Sequence, residues 1–269
     1  MSTTAVHRRH TTPVPVGLLA AVGVAFLAIP LIGLLLTTPW ARLPELLTSP
    51  VAAEALRLSL ITSISATVIA VLIGVPLAWV LARAHVPGRT FIRALVTLPL
   101  VLPPVVGGVA LLLAFGRRGL IGQYLYEWFG VQLPFTTAGV IMAEAFVAMP
   151  FLVITVEGAL RSADPRFEEA AATLGASRWT ILRRVTLPLI GPALIAGAIL
   201  AWARALGEFG ATITFAGNLP GVTQTLPLAV YSALDTDRDA AIALSLVLLI
   251  ASLAVLLLLR DRYVRGSSS

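Results

Sequence analysis

Apolar residues in this chain come in long runs rather than in alternation with polar ones. Six stretches stand out, near Val16–Leu36, Leu58–Leu81, Ile92–Phe115, Thr137–Leu160, Leu189–Phe215 and Ala241–Leu259. Each is close to the ~20 residues a helix needs to cross the hydrocarbon of a bilayer. The polar segments between them are too short to build a core of their own. The pattern predicts an all-α integral membrane protein of about six transmembrane helices. Residues 1–15 form an N-terminal tail, 16–260 a single transmembrane domain, and 261–269 a C-terminal tail. Arg8, Arg9 and His10 precede the first stretch, as they would in a signal peptide. Its apolar run is longer than an h-region, and no small-x-small site precedes Trp40, so an uncleaved span is expected.

Composition excludes a soluble protein. The chain is 58% hydrophobic and 12% charged, with a mean hydropathy of +0.95; ordinary globular domains are about 45–50% apolar and about 25% charged. Without cysteine there is no disulfide and no thiolate metal site. The net charge of +6 comes from 19 basic residues, all arginine. Thirteen of them (Arg8, Arg9, Arg83, Arg89, Arg93, Arg161, Arg166, Arg178, Arg183, Arg184, Arg260, Arg262 and Arg265) fall on the side of the termini. Only Arg42, Arg117, Arg118 and Arg238 fall opposite, and Arg57 and Arg204 lie in or beside spans. Positive loops stay inside, so both termini are expected to be cytoplasmic. The charge then reflects orientation, not nucleic-acid binding. The absence of lysine rules out a P-loop, which needs one on the phosphates. The chain itself is therefore not an ATPase and binds no ATP. If ATP drives it, another polypeptide holds the ATP-Mg.

One cytoplasmic loop, residues 161–188, carries a spaced motif. Glu169-Ala170-Ala171 is followed after three residues by Gly175, and after nine more by Val185-Thr186-Leu187-Pro188. The loop reads as helix, turn, helix. Asp164 caps the first helix, with Pro165 at its first position. Phe167, Ala170, Ala171 and Leu174 share one apolar face. Gly175 permits a turn with positive φ. Ser177 caps a second short helix, Arg178 to Val185, and Leu187-Pro188 begins the fifth span. A generic helix at a membrane surface would also be amphipathic, but the full spacing is far more specific. It resembles the EAA loop of ABC importer permeases, the coupling helix that docks into the ATPase subunit. The resemblance gives Glu169, Ala170, Ala171, Gly175, Leu187 and Pro188 that coupling role. Val185 departs from the motif, which often has Ile there.

Within the spans, Pro99, Pro103 and Pro104, then Gly107 and Gly108, interrupt the third stretch, so its backbone is kinked or open. Two readings stand: a pathway or gate helix, since open backbone at depth needs protein or a water-filled cavity over it, or a packing kink whose glycines allow close helix contact. In the fifth stretch Arg204 and Glu208 are four apart and can pair on one helix face. They serve either an anion route or, the favoured reading, a neutralised brace. Glu157, near an inner end, is expected to meet a loop arginine; Glu144 has no local partner. Asp235, Asp237 and Asp239 do not make a calcium loop, which needs Gly and Glu where Ala240 and Leu246 stand. They read as a solvated loop capping the sixth span. His7, His10 and His85 lie in tails or loops, and no metal site is expected.

Leu98–Gly108, Arg204–Gly217 and Thr223–Tyr231 are similar to the permease subunit of molybdate ABC importers, a resemblance extending from about Ser59 to Leu249. Sulfate and thiosulfate permeases share much of it, and tungstate is a further alternative. The resemblance implies a homodimer forming the path, two cytoplasmic ATPase subunits carrying ATP-Mg, an extracytoplasmic oxyanion-binding protein, surrounding membrane lipid and no nucleic acid. The expected location is the plasma membrane of a bacterium or archaeon. A secondary transporter or channel independent of ATP is the alternative of another class; it would not need the EAA spacing.

Overall fold

The computed structural model describes residues 14–84 and 86–266. Expectations resting on His7, Arg8, Arg9, His10, His85 and residues 267–269 lie outside them, as do the side chains of Arg260, Arg262 and Arg265. Among the described residues every regular element is helical. α1 is Val14–Thr37, α2 Leu43–Thr48, α3 Pro50–Arg83, α4 Arg89–Val101, α5 Pro104–Phe115, α6 Gly122–Phe129 and α7 Thr137–Ser162. α8 is Arg166–Thr173 and α9 Arg178–Ile181. A π-helical segment, Leu182–Thr186, follows, then α10 Leu187–Leu206, α11 Gly210–Phe215, α12 Leu226–Thr236 and α13 Arg238–Gly266.

Among the described residues, five stretches of continuous helix are long and apolar enough to cross a membrane: Pro15–Thr37, Pro50–Arg83, Thr137–Ser162, Arg178–Leu206 and Arg238–Val255. The third expected span is not one of them. It divides into α4 and α5 because Leu102 and Pro103 are extended, with ψ of 134° and 131°. Pro103 and Pro104 in succession supply no N–H to continue the ladder.

The fifth span also departs from expectation. The second loop helix does not stop at Val185; α9, the π segment and α10 form one unbroken helix. That helix ends at Leu206 instead of Phe215, and Gly207–Phe209 separate it from α11. The second span starts at Pro50, capped by Ser49, so Arg57 is inside a helix. The acidic trio is not simply loop: Asp235 closes α12, while Asp237 accepts from Ala240 N at 3.1 Å and caps α13.

The core is built where α3, α7 and α10 pack together. Ala66, Ala70, Gly74 and Ala78 recur every fourth residue along α3 and are all buried. A Cβ on Gly74 would meet Leu152 and Val153 of α7 at 3.1 Å. Small residues let two helices approach closely where lipid supplies no hydrophobic force between them. Ser59, Thr62 and Ser63, one to two turns nearer the N-terminal end of α3, are buried polar groups that each tie down another element. Ser59 accepts from Leu226 N of α12, Thr62 donates to Glu144 of α7, and Ser63 accepts from Trp202 of α10. Around this core α5 packs on α11, α12 on α13, and α1 lies against α13 with most of its surface exposed.

Candidate functional site

The motif loop folds as helix, turn and helix, with its second helix continuing into α10, and it is exposed. Asp164 Oδ1 accepts from Arg166 N at 3.0 Å and opens α8. Pro165 sits just before the helix, already at φ −65°. The turn after α8 closes with Gly175 N to Ala172 O at 3.0 Å and Ala176 N to Ala171 O at 3.1 Å. This bonding needs a left-handed residue, and Gly175 has φ +81°. Ser177 Oγ accepts from Thr180 N at 3.2 Å and starts α9. No residue of α8 is buried. Phe167 and Trp179 are exposed, and Leu174 is 88% accessible. Three large apolar side chains therefore stand open beside this short helix. Glu169 is exposed beside them, whereas Leu187 and Pro188 lie at the foot of α10.

Glu168, which the motif spacing passes over, turns the other way. Its Oε1 accepts from Thr186 Oγ1 at 2.9 Å and lies 3.5 Å from Arg83 Nη2. Arg83 also reaches Ala163 O at 3.4 Å. Beside these residues opens a cleft of about 430 Å³ lined by Trp79, Glu168, Arg178, Trp179 and Thr186 among others. Sequence reasoning singled out Glu169 and passed over Glu168, whose inward turn depends on Arg83 standing at the end of α3.

The second group of singled-out residues meets where the two broken spans touch. A Cβ on Gly210 would fall 2.8 Å from Pro104 Cβ, and one on Gly108 would fall 2.7 Å from Thr214 Cβ and 2.8 Å from Ala211 O. The starts of α5 and α11 are therefore pressed together, and glycine at 108 and 210 makes the contact possible. Gly107 faces Phe146 of α7. Pro103 stays in the extended break.

Arg204 and Glu208 do pair, Nη1 to Oε2 at 2.5 Å, but not along one helix. Glu208 lies beyond the end of α10, and its Oε1 accepts from Ala211 N at 2.7 Å. One carboxylate thus neutralises the arginine and caps the next helix. The α11 end is already occupied by a negative charge. Glu157 meets two arginines, Arg93 at 2.5 Å and Arg161 at 3.1 Å, and both stand on helices where a loop arginine was expected. Arg93 stands on α4, so this pair fixes the first half of the broken third stretch to α7. Glu144 is held by Thr62 at 2.9 Å.

Comparison with known proteins places this geometry. The chain is 52% identical over 238 residues to "Molybdenum transport system permease protein ModB" of Mycobacterium tuberculosis, covering 88% of this chain and 90% of that protein. It is 39% identical over 218 residues to "Sulfate transport system permease protein CysT" of Escherichia coli, covering 81% and 78%. Its fold matches a chain of the crystal structure of a bacterial ABC transporter that imports the acidic polysaccharide alginate. There the TM-score is 0.74 at 20% identity, over 94% of this chain and 95% of that one. The profile of the family "Binding-protein-dependent transport system inner membrane component" matches residues 70–266. A protein with this helix bundle, this exposed loop and these relatives belongs to the family of binding-protein-dependent transport system inner membrane components.

Proposed function

We propose that the chain is the transmembrane permease subunit of an ATP-binding-cassette importer and forms the route of an oxyanion, molybdate. The observation that carries the substrate is the likeness to the molybdenum permease, 52% identity over 88% of the chain against 39% over 81% for the sulfate permease. Two copies of the chain face one another across the path. Each presents α8 and its Gly175 turn to one of two cytoplasmic ATPase subunits, which hold ATP-Mg. An extracytoplasmic binding protein delivers the anion. Both termini are cytoplasmic, in the plasma membrane.

The fold suits transmission of force. The turn that follows α8 leads directly into a helix of 29 residues, Arg178–Leu206, a rod of about 43 Å at 1.5 Å per residue. Its far end is the Arg204–Glu208 break, against which α11 and α5 are packed. A displacement of the docking helix thus has a stiff route to both interrupted spans. Selectivity is assigned to the external protein, because the arginine near the path is already neutralised by Glu208.

The test is transport in proteoliposomes containing the permease, its ATPase and the loaded binding protein. Uptake of labelled molybdate should require ATP and the binding protein, and excess sulfate should compete weakly. Uptake that persists without nucleotide would identify a secondary transporter or channel, and preferential uptake of sulfate would identify a sulfate permease.

A further inference from the structure

We infer that Glu168 is the positioning residue of the coupling loop: it locks α8 to the transmembrane stem, so that movement at the docking face is passed to α10. The inference rests on the docking reading of α8 given above.

α8 has eight residues and none of them is buried. Such a helix, lying against α9 and the π segment without burying a residue, keeps its place chiefly through its two linkers, residues 163–165 and 174–177, and through whatever side-chain ties it makes. Pressed by a partner, such a helix tends to roll or tilt where it stands. Among the described residues, the side-chain tie from α8 to other helices is Glu168. A single oxygen, Oε1, takes a hydrogen bond from Thr186 and faces the Arg83 guanidinium. Thr186 ends the π segment and is its one buried residue. Arg83 is the last residue of α3. The carboxylate therefore joins three elements, and the strongest of its bonds leads to the foot of the long helix that reaches Glu208. Hydrogen bonds to an ionised acceptor are about twice as strong as neutral ones, and side-chain accessibilities of 20% for Arg83 and 23% for Glu168 shield the group from water. Arg83 also holds Ala163 O, so the linker entering α8 is fixed by the same arginine. Glu169, one residue on, is turned outward and is left for the partner.

The arrangement separates two roles that the doublet Glu168-Glu169 hides: contact with the partner at 169, and attitude of the helix at 168. It also gives the π segment a purpose. π turns inside α-helices are often found at functional positions, and here the wide turn carries the hydroxyl that meets the docking helix.

The experiment uses the complete complex of permease, ATPase and binding protein in nanodiscs and proteoliposomes. The variants are Glu168→Ala, Thr186→Val, Thr186→Ser and the double variant Glu168→Ala/Thr186→Val. Two spin labels, on cysteines introduced at Thr173 of α8 and Ile73 of α3, report the attitude of the helix by their distance distribution. Transport reports molybdate moved per ATP hydrolysed. Glu168→Ala and Thr186→Val should each broaden the distribution and lower molybdate per ATP by about tenfold, the size expected for loss of a hydrogen bond to a charged group. Thr186→Ser, which keeps the hydroxyl, should restore both, and the double variant should be no worse than either single one. If Glu168→Ala does not assemble, the comparison of Thr186→Val with Thr186→Ser carries the same test. A distribution that stays narrow in Glu168→Ala or Thr186→Val, or molybdate per ATP unchanged in both, overturns the inference. The distance distribution is read both in the complete complex and on the full permease alone in nanodiscs, where no ATPase touches α8. Failure of the docking reading shows itself separately, as undiminished ATPase recovery when the outward face is altered by Glu169→Arg.

Discussion

Arg204 Nη1 and Glu208 Oε2 stand 2.5 Å apart across the end of α10, and the other oxygen of the same carboxylate caps α11. Breaking a buried pair by removing one member leaves an uncompensated charge, at a cost of about 3–5 kcal/mol; Arg204 keeps 26% of its side-chain surface exposed, which softens that figure. Arg204→Ala should therefore lower the yield of assembled complex on size-exclusion chromatography. Adding Glu208→Gln should recover it, because the amide oxygen still accepts from Ala211 N and no charge remains. Adding Glu208→Ala should recover less, since α11 loses its cap. Should the recovered double variant couple to ATP yet move no molybdate, the pair has a direct role in the path.

Gly175 tests the coupling turn by backbone alone. Nothing lies within 4 Å of a Cβ built there, yet its φ is +81°. A side chain meets no neighbour but must adopt a left-handed conformation, which costs about 1–2 kcal/mol for most residues. Gly175→Val should reduce recovery of the ATPase with the permease while the transmembrane helices stay folded by circular dichroism. Gly175→Asn, more tolerant of this region, should lose much less. Equal recovery in both variants contradicts a strained turn at the docking surface.

Gly74 tests the packing of α3 on α7. Its Cβ position is 3.1 Å from Leu152 and Val153, whereas Gly33 of α1 has nothing within 4 Å. Gly74→Leu should lower the melting temperature of the purified chain, since overpacking a tight interface typically costs about 1–3 kcal/mol. Gly33→Leu should leave it nearly unchanged. Similar melting temperatures for the two variants would remove close helix contact as the reason for glycine at 74.

Orientation can be read chemically, because the chain has no native cysteine. Ser177 and Thr236 are both exposed, at the α9 start and the α12 end. A cysteine at Ser177 should react with a membrane-impermeant thiol reagent from the cytoplasmic side alone, and one at Thr236 from outside alone. Reversed labelling at either position contradicts cytoplasmic termini.

Much of this protein is local and therefore legible along the chain. Runs of apolar residues declare the membrane because every residue of a spanning helix must be compatible with lipid. The α8–Gly175–α9 turn was readable because caps and left-handed glycines act over three or four residues. The double proline at 103 and 104 announced the break in the third span for the same reason. The Ala66-Ala70-Gly74-Ala78 row was also present in the sequence, but a row of small residues does not say which helix it meets.

What only the tertiary structure decided are relations between distant residues. Arg204 and Glu208 have the spacing of a helical pair, and their contact was anticipated; that α10 ends between them was not, because the break stands where α5, far off in the chain, packs Pro104 against Gly210. Glu168 and Glu169 are chemically identical neighbours, and only the positions of Arg83 and Thr186 turn one inward and leave the other outward. Sequence by itself determined which segments are apolar enough for a membrane and where Pro103-Pro104 and Gly175 turn the backbone, since solvation and φ preferences belong to single residues and short windows. Tertiary structure decided which charges are spent inside the fold and which remain for a partner, since a charge is satisfied by whatever the packing of far-separated helices brings within a few ångströms.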